Sequence, residues 1–389
     1  MNQQQMIENF AAVFKTQQTP DIFFAPGRVN LIGEHTDYNG GHVFPCALSL
    51  GTYGLVALRD DRQLRFYSEN FPEAGITVSS LDELEPRKDS HWISYPMGVI
   101  WAFIKHGYTI DRGMDLYIYG NIPNGSGLSS SASLEVLMGT LLKNCFHLDS
   151  LTMEKIALLG QYAENHYCGM NCGIMDQFAS AMGKREHAIF LDTNTLDFRL
   201  VPVKLGNYKL VITNSLVKHS LVSSAYNQRR RECEDGLLAL QKVLDISSLG
   251  ELTNEQFETN KFLLPDEIIR KRVRHAVSEN IRTMDAVEAL TQNNLIAFGE
   301  LMNESHCSLR DDYEVSCAEI DTLVDAAWNC PFVLGSRITG GGFGGCTISL
   351  VESDKIDTFC KELSQSYKNT YQKTPEFYVA DIGDGAHAL

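Results

Sequence analysis

Arg28, Glu34, His35 and Asp37 fall within ten residues of one another, in the run Arg28-Val29-Asn30-Leu31-Ile32-Gly33-Glu34-His35-Thr36-Asp37-Tyr38, with Gly27, Gly33, Gly40 and Gly41 alongside. Carboxylates, an imidazole and a guanidinium held at fixed geometry suit a polyhydroxylated ligand, because each hydroxyl both donates and accepts. A solvated surface loop has the same composition. These residues alone leave both readings open.

A second cluster is Pro123-Asn124-Gly125-Ser126-Gly127-Leu128-Ser129-Ser130-Ser131-Ala132-Ser133. Glycines let backbone approach a ligand closely, and a helix N-terminus behind them offers unpaired N–H groups and a positive dipole end, so a phosphate fits. No Lys follows the glycines, which excludes the GxxxxGK[ST] loop, and Ser130 stands at the third glycine position of the dinucleotide pattern. The alternative is a turn with a Ser N-cap. Gly340-Gly341-Gly342-Phe343-Gly344-Gly345 satisfies GxGxxG but precedes a strand pattern, Thr347 to Val351, not a helix. Five glycines in six positions cost backbone entropy that a plain turn does not require, which favours a loop closing over a ligand.

Two acids complete the set. Asp176 sits just inside a helical pattern after Gly173, where it either complements the helix dipole or faces a ligand. Glu164 lies at the edge of the stripe Ile156, Leu159, Ala163, as a solvated flank residue or a cation ligand; by itself the stripe favours the flank.

The elements that must position these groups are readable from periodicity. Asp21 to Ala25, His42 to Cys46, Thr52 to Leu58 and Gln63 to Tyr67 are β-branched and aromatic runs separated by turn formers, so the first part is β-rich. Met114, Leu116 and Ile118 alternate with Asp115, Tyr117 and Tyr119 and predict a half-buried strand. Leu134, Leu137, Met138, Leu141, Leu142 and Cys145 predict a helix over 130–146, with two more near 152–167 and 174–183. Strands around 187–213 precede long helices to about 330. A strand, the glycine loop, the strand Thr347 to Val351, a helix and a last strand near Phe377 follow.

The chain of 389 residues exceeds what one core usually serves, which predicts two domains, 1–205 and 206–389, with a site between them. Thirty-three Lys and Arg against 49 Asp and Glu give a net charge of −16. That charge repels polyanions, and Arg229-Arg230-Arg231 is followed by Glu232, Glu234 and Asp235, so no nucleic-acid partner is expected. A polar start and the absence of an apolar run of ~18 residues predict a cytoplasmic protein without membrane contact. Ten Cys without paired spacing read as reduced, mostly buried thiols.

Taken together, Gly27 to Tyr38, Pro123 to Ser133 and Gly340 to Gly345 resemble, in order, the three motifs of the GHMP family of small-molecule kinases, along nearly the whole chain. The resemblance implies an α+β fold of two domains, an N-terminal ribosomal protein S5 domain 2-like domain and a C-terminal ferredoxin-like domain, with the active site in the cleft. It implies an ATP-dependent kinase for the anomeric hydroxyl of galactose, at the first committed step of galactose metabolism (the Leloir pathway). Asp176 and Arg28 would be the catalytic pair. Glu34, His35, Asp37, Gly173, Asp176 and Tyr226 would hold the sugar. Trp92, Gly125, Ser126, Gly127, Leu128, Ser129, Ser130 and Ser131 would bind ATP, and Ser131 and Glu164 would bind Mg²⁺. The expected partners are galactose and ATP, in a monomer or weak homo-oligomer.

N-acetylgalactosamine kinase and arabinokinase share these motifs, which leaves the sugar less specified than the reaction. Sensor proteins of the family lack the Ser-Ala pair, whereas Ser131-Ala132 is present here. A nicotinamide-dependent oxidoreductase would need an acid closing the next strand, but Leu141 to Phe146 is still helical in pattern.

Overall fold

The computed structural model describes residues 1–86, 92–123, 126–217 and 222–389, except for the side chains of Val222 and Ser223. In chain order the first part comprises α1 (Gln3–Phe14), β1 (Asp21–Asn30), β2 (His42–Val43), β3 (Pro45–Leu58), β4 (Gln63–Ser68), β5 (Thr77–Ser80), α2 (Ser94–Lys105), β6 (Met114–Gly120), α3 (Ser130–Cys145), α4 (Met153–Ala163), α5 (Met175–Met182), β7 (His187–Asp192) and β8 (Phe198–Pro202). The remainder comprises β9 (Tyr208–Asn214), α6 (Val222–Leu240), α7 (Asn254–Asn260), α8 (Glu267–Thr291), α9 (Leu295–Asp311), α10 (Ala318–Trp328), β10 (Val333–Thr339), β11 (Cys346–Glu352), α11 (Ile356–Tyr371), β12 (Glu376–Ala380) and β13 (His387–Ala388).

Three sheets organise these elements, in the orders β13-β1-β3-β6-β4-β5, β2-β7-β8 and β10-β11-β9-β12. The six-stranded sheet packs one face on α2, α3, α4 and α5 through Phe66, Phe103, Leu137, Leu141 and Phe178. The alternating pattern of β6 predicted one wet face, yet Met114 to Ile118 are all buried. The reason is α1, whose Met6, Phe10 and Phe14 cover Leu55, Ala57 and Tyr117 on the opposite face; burying each such ring contributes ~1.5–3 kcal/mol. Asp115 in the same strand is buried against Arg59 and Arg65. A capping box between Asn2 and Gln5 starts α1. The two runs predicted at 42–46 and 52–58 are a two-residue strand and one long strand, β3.

β8 ends at Pro202, and β9 opens the four-stranded sheet at Tyr208. α11 and α10 cover one of its faces, with Phe359, Leu363, Tyr367 and Leu323 packed on Val211 and Val351. A further core joins the two halves: Val29, Leu31, Ile32 and Phe44 pack with Ala286, Val287, Phe298, Met302, Ile348 and Leu350. The end of β1 is thereby held beside the end of β10. Arg337, fully buried, fastens the junction: its Nη1 donates to the carbonyls of Asn30 (2.9 Å) and Leu31 (3.1 Å), and its Nη2 lies 2.5 Å from Glu34 Oε2. Glu279, also buried, accepts from Gly33 N and Ser305 Oγ on the same seam. The last strand, β13, returns to pair with β1. All ten cysteines are unpaired and none is exposed. No helix among the described residues is long and apolar enough to cross a membrane.

Candidate active site

β1, the loop before α3, the start of α5, α6 and the glycine loop after β10 converge on a cavity of about 270 Å³. At its centre Arg28, on β1, grips Asp176, in the first turn of α5, with two parallel bonds, Nε to Oδ1 at 2.7 Å and Nη2 to Oδ2 at 2.9 Å. Such a fork fixes both planes at once. Arg28 Nη1 donates to the Gly127 carbonyl at 2.8 Å, tying the pair to the loop that leads into α3.

Ser129 precedes α3 in the left-handed region (φ 60°, ψ 51°) and makes no capping bond with its side chain. Its Oγ donates instead to Asp176 Oδ2 at 2.5 Å. A non-glycine residue held in that conformation is strained, and here the strain delivers a third donor to the carboxylate. Ser130 and Ser131, at the N-terminus and so the positive end of α3, line the same cavity. Ser126 Oγ is buried there without a partner among the described residues, and Leu128 is anchored in the core. Gly340 passes so close that a Cβ on it would lie 3.0 Å from the Gly127 carbonyl, so two of the glycine-rich segments touch. Gly125 lies outside the described residues.

Asp37 lines the cavity beside this pair. Burial and then the charge of Asp176 push its carboxyl up to about 6. Gly173 is indispensable to that arrangement, since a Cβ there would fall 1.8 Å from Asp37 Oδ2. Glu34 lines the cavity with both carboxylate oxygens engaged: Oε1 accepts from Gly340 N (2.8 Å) and Thr339 Oγ1 (3.0 Å), and Oε2 accepts from Asn30 Nδ2 (2.5 Å) next to Arg337. Burial raises its proton affinity and Arg337 opposes the shift. His35 also lines the cavity, with a positive φ of 62°. Burial, followed by the charges of His275 and Arg229, lowers its pKa to about 3, so the ring is neutral. Tyr226, on α6, packs against it at 5.4 Å.

Glu164 overturns the flank reading, because it is buried at the point where α4 passes into a π-helical turn, Glu164–Cys168. Its Oε2 accepts from Gln177 Nε2 (2.6 Å) and Cys172 Sγ (3.3 Å). Glu135 lies beside it, fully buried, with Oε2 bonded to the same Gln177 nitrogen (2.8 Å) and Oε1 without a hydrogen-bond partner among the described residues. Burial raises both carboxyls, with the charge of Glu164 adding to the shift at Glu135 and that of Asp176 adding to the shift at Glu164. A second chamber of about 190 Å³ adjoins the first through Ser130 and Ser131 and is lined by Trp92, Tyr95, Phe71 and Ile122.

The structure therefore places every described residue singled out from the sequence at one of these two joined chambers. Sequence reasoning missed Glu135, Cys172, Arg337 and Glu279. Only Glu135 left a signal, four residues after Ser131 on the same face of α3.

Comparison with known proteins agrees with this architecture. The galactokinase galactose-binding signature matches residues 8–58. The GHMP kinases N terminal domain matches 94–184, and the GHMP kinases C terminal domain matches 286–369. The chain is 50% identical over 382 residues to galactokinase from Bacillus subtilis, covering 98% of this chain and 97% of the relative. It is 49% identical over 389 residues to galactokinase from Lactiplantibacillus plantarum, covering both chains fully. The crystal structure of Lactococcus lactis galactokinase complexed with galactose superimposes with a TM-score of 0.97 at 48% identity, covering 99% of each chain. A mevalonate kinase structure, 20% identical with a TM-score of 0.63, shares the fold.

Proposed function

Since the chain belongs to the galactokinase family of the GHMP kinases, we propose that it transfers the γ-phosphoryl group of ATP to the anomeric 1-hydroxyl of α-D-galactose, giving galactose 1-phosphate and ADP. The observation that carries the reading is the Arg28–Asp176 fork set in a cavity walled by Glu34, His35 and Asp37. The division of the chain at 205/206 is likewise proposed, on the change of sheet between β8 and β9.

Phosphoryl transfer needs positioning and charge stabilisation more than covalent chemistry. In our reading, Asp176 accepts a hydrogen bond from the anomeric hydroxyl and takes its proton as the O–P bond forms. A carboxylate is a weak base for an alcohol, so Arg28 supplies the complementary part by stabilising charge on the attacking oxygen and the phosphoryl group. Asp37, Glu34, His35, Gly173 and Tyr226 orient the sugar. Ser126 to Ser131 and the start of α3 bind the phosphates, with Gly125 included on the strength of the motif, and the Trp92 chamber takes the adenine.

Mg²⁺ fits the donors present. Two buried carboxylates, Glu164 and Glu135, lie side by side, and the Ser131 hydroxyl hydrogen-bonds Glu164. No cluster of three His, Cys, Asp or Glu ligands occurs among the described residues, in keeping with an ion that uses one or two protein carboxylates and completes its shell with water and phosphate oxygens. Ser131 and Glu164 would hold it, and when bound it would neutralise phosphate charge.

The test is ADP release with ATP and a panel of hexoses, N-acetylgalactosamine and arabinose. Galactose should give the highest kcat/KM, and absence of galactose-dependent ADP release would overturn the reading.

A further inference from the structure

Behind the cavity, three helical segments meet at one amide. Gln177 follows Asp176 on α5, and successive residues of a helix point about 100° apart, so Asp176 lines the cavity while Gln177 turns inward and is fully buried. Its Nε2 lies 2.6 Å from Glu164 Oε2, where α4 ends, and 2.8 Å from Glu135 Oε2, on α3. Glu135 stands one helical turn after Ser131, whose hydroxyl hydrogen-bonds Glu164. A single side chain thus spans the elements that carry Ser131, Glu164 and Asp176.

An amide nitrogen carries two hydrogens, one for each carboxyl. Turned over, the amide would set its oxygen against both glutamates, which could approach it only if both carried a proton; the span between them is the same either way. The cluster is costly for packing. Gln177 Oε1 and Glu135 Oε1 have no hydrogen-bond partner among the described residues, and apolar side chains of the same volume would fill the space at lower cost. α4 also gives way to it. Gly160 sits in the interior of that helix, where glycine is unfavourable, and a Cβ there would lie 3.3 Å from Gln177 Cγ and 3.4 Å from Glu135 Cβ.

We propose that Gln177 and Glu135 are positioning residues that hold Glu164 in register with Ser131 and Asp176, so that the divalent-cation ligands and the proton acceptor keep a fixed separation. Glu135 anchors the amide, and the amide aims Glu164. Among the described residues neither Gln177 nor Glu135 lines the cavity, so both act through the groups they touch. The sugar side is held separately, by Gly340, Thr339 and Arg337 on Glu34. Loss of the bridge should therefore act on the cation and spare the sugar. This inference rests on the proposed Mg²⁺ role of Glu164.

The test titrates Mn²⁺ into the full-length protein with ADP present, read by electron paramagnetic resonance, alongside galactose binding by calorimetry. Gln177→Leu should weaken Mn²⁺ binding about tenfold or more, the range for loss of a group that orients a metal ligand, and leave the galactose Kd within about threefold. Glu135→Leu should weaken Mn²⁺ about threefold to tenfold, whereas Glu135→Gln, which returns an acceptor oxygen to the amide, should stay within about twofold of wild type. Wild-type Mn²⁺ affinity in Gln177→Leu, or equal weakening of Mn²⁺ and galactose, overturns the bridge as a positioning device. Equal weakening in Glu135→Gln and Glu135→Leu overturns it as well, because charge and not the hydrogen bond would then matter. If Gln177→Leu fails to fold, the two Glu135 variants decide. Glu164→Gln is the control. Unchanged Mn²⁺ binding there refutes the metal assignment, and the bridge falls with it; weakened binding there with Gln177→Leu and Glu135→Leu unaffected refutes the bridge alone.

Discussion

Arg28 and Asp176 stand 148 positions apart in sequence and meet in the fold as a two-bond fork, Nε to Oδ1 at 2.7 Å and Nη2 to Oδ2 at 2.9 Å. With the Ser129 hydroxyl, three donors converge on one carboxylate. Asp176→Asn keeps the shape and removes charge and basicity, so kcat should fall at least ~100-fold with the thermal midpoint nearly unchanged. Steady-state kinetics checks this, and a variant retaining more than about a tenth of wild-type kcat refutes the proton-acceptor role.

Gly173→Ala places a methyl group 1.8 Å from Asp37 Oδ2. Asp37 must swing away, and galactose KM should rise at least ~10-fold while the KM for ATP, which is assigned to the other side of Asp176, changes little. Equal loss of affinity for both substrates would point to a general disruption of the α5 start.

Asp37 also links function to stability. Its folded-state value of about 6 lies above the ordinary 3.8, so the folded protein binds this proton more tightly than the unfolded chain does. The site's contribution to stability therefore falls as pH rises from about 4 to about 6, and the penalty, ~1–3 kcal/mol, is complete above that window. Asp37→Asn should raise the denaturation midpoint at pH 7.5 and leave it nearly unchanged at pH 4, at the expense of turnover. Equal shifts at both pH values would remove the charge as the cause.

Glu164 and Ser131 are assigned to Mg²⁺. Glu164→Gln keeps an acceptor oxygen and loses the charge, so the Mg²⁺ concentration for half-maximal rate should increase several-fold more than the galactose KM. Direct titration of Mn²⁺ by electron paramagnetic resonance, with ADP present, should show the same weakening. Unaltered metal dependence would reduce Glu164 to a partner of Gln177 and Cys172.

Arg337→Met strands the buried carboxylate of Glu34 and frees the Asn30 and Leu31 carbonyls on the seam between the two halves. Breaking such a buried pair costs ~3–5 kcal/mol. Chemical denaturation should report a loss of that order. Galactose binding by calorimetry should weaken with it, because Glu34 would lose its charge partner; intact stability would show that the pair contributes no net energy.

Much of this site was written locally. The helix at 130–146, the strand before it and the strand after Gly345 follow from periods of 3.6 and 2 that each segment carries alone. The three motifs likewise announce their chemistry by residue type within a dozen positions, since glycines, hydroxyls and carboxylates at short range are constrained by one backbone. What those segments face is a different matter. The pattern of β6 promised one wet side, but α1, a hundred residues earlier, covers it. Glu164 read as a flank residue because its own helix has a polar edge there. Only the packing of α3 and α5 against that edge buries it beside Glu135 and Gln177.

The same distinction separates the residues found from those missed. Arg28, Asp37 and Asp176 were legible as reactive types, yet their geometry is set by the register of β1 and the docking of α5, which no single segment encodes. Arg337 and Glu279 looked like ordinary members of a strand and a helix. They act on the site because the core formed by β1, α8, α9 and β10 brings residues some 300 positions apart within hydrogen-bond distance. Sequence alone determined the local chemistry and the elements that carry it. Tertiary packing decided which carboxylates are buried, which are neutralised and which remain free to meet a substrate, because burial and pairing are properties of contacts between elements.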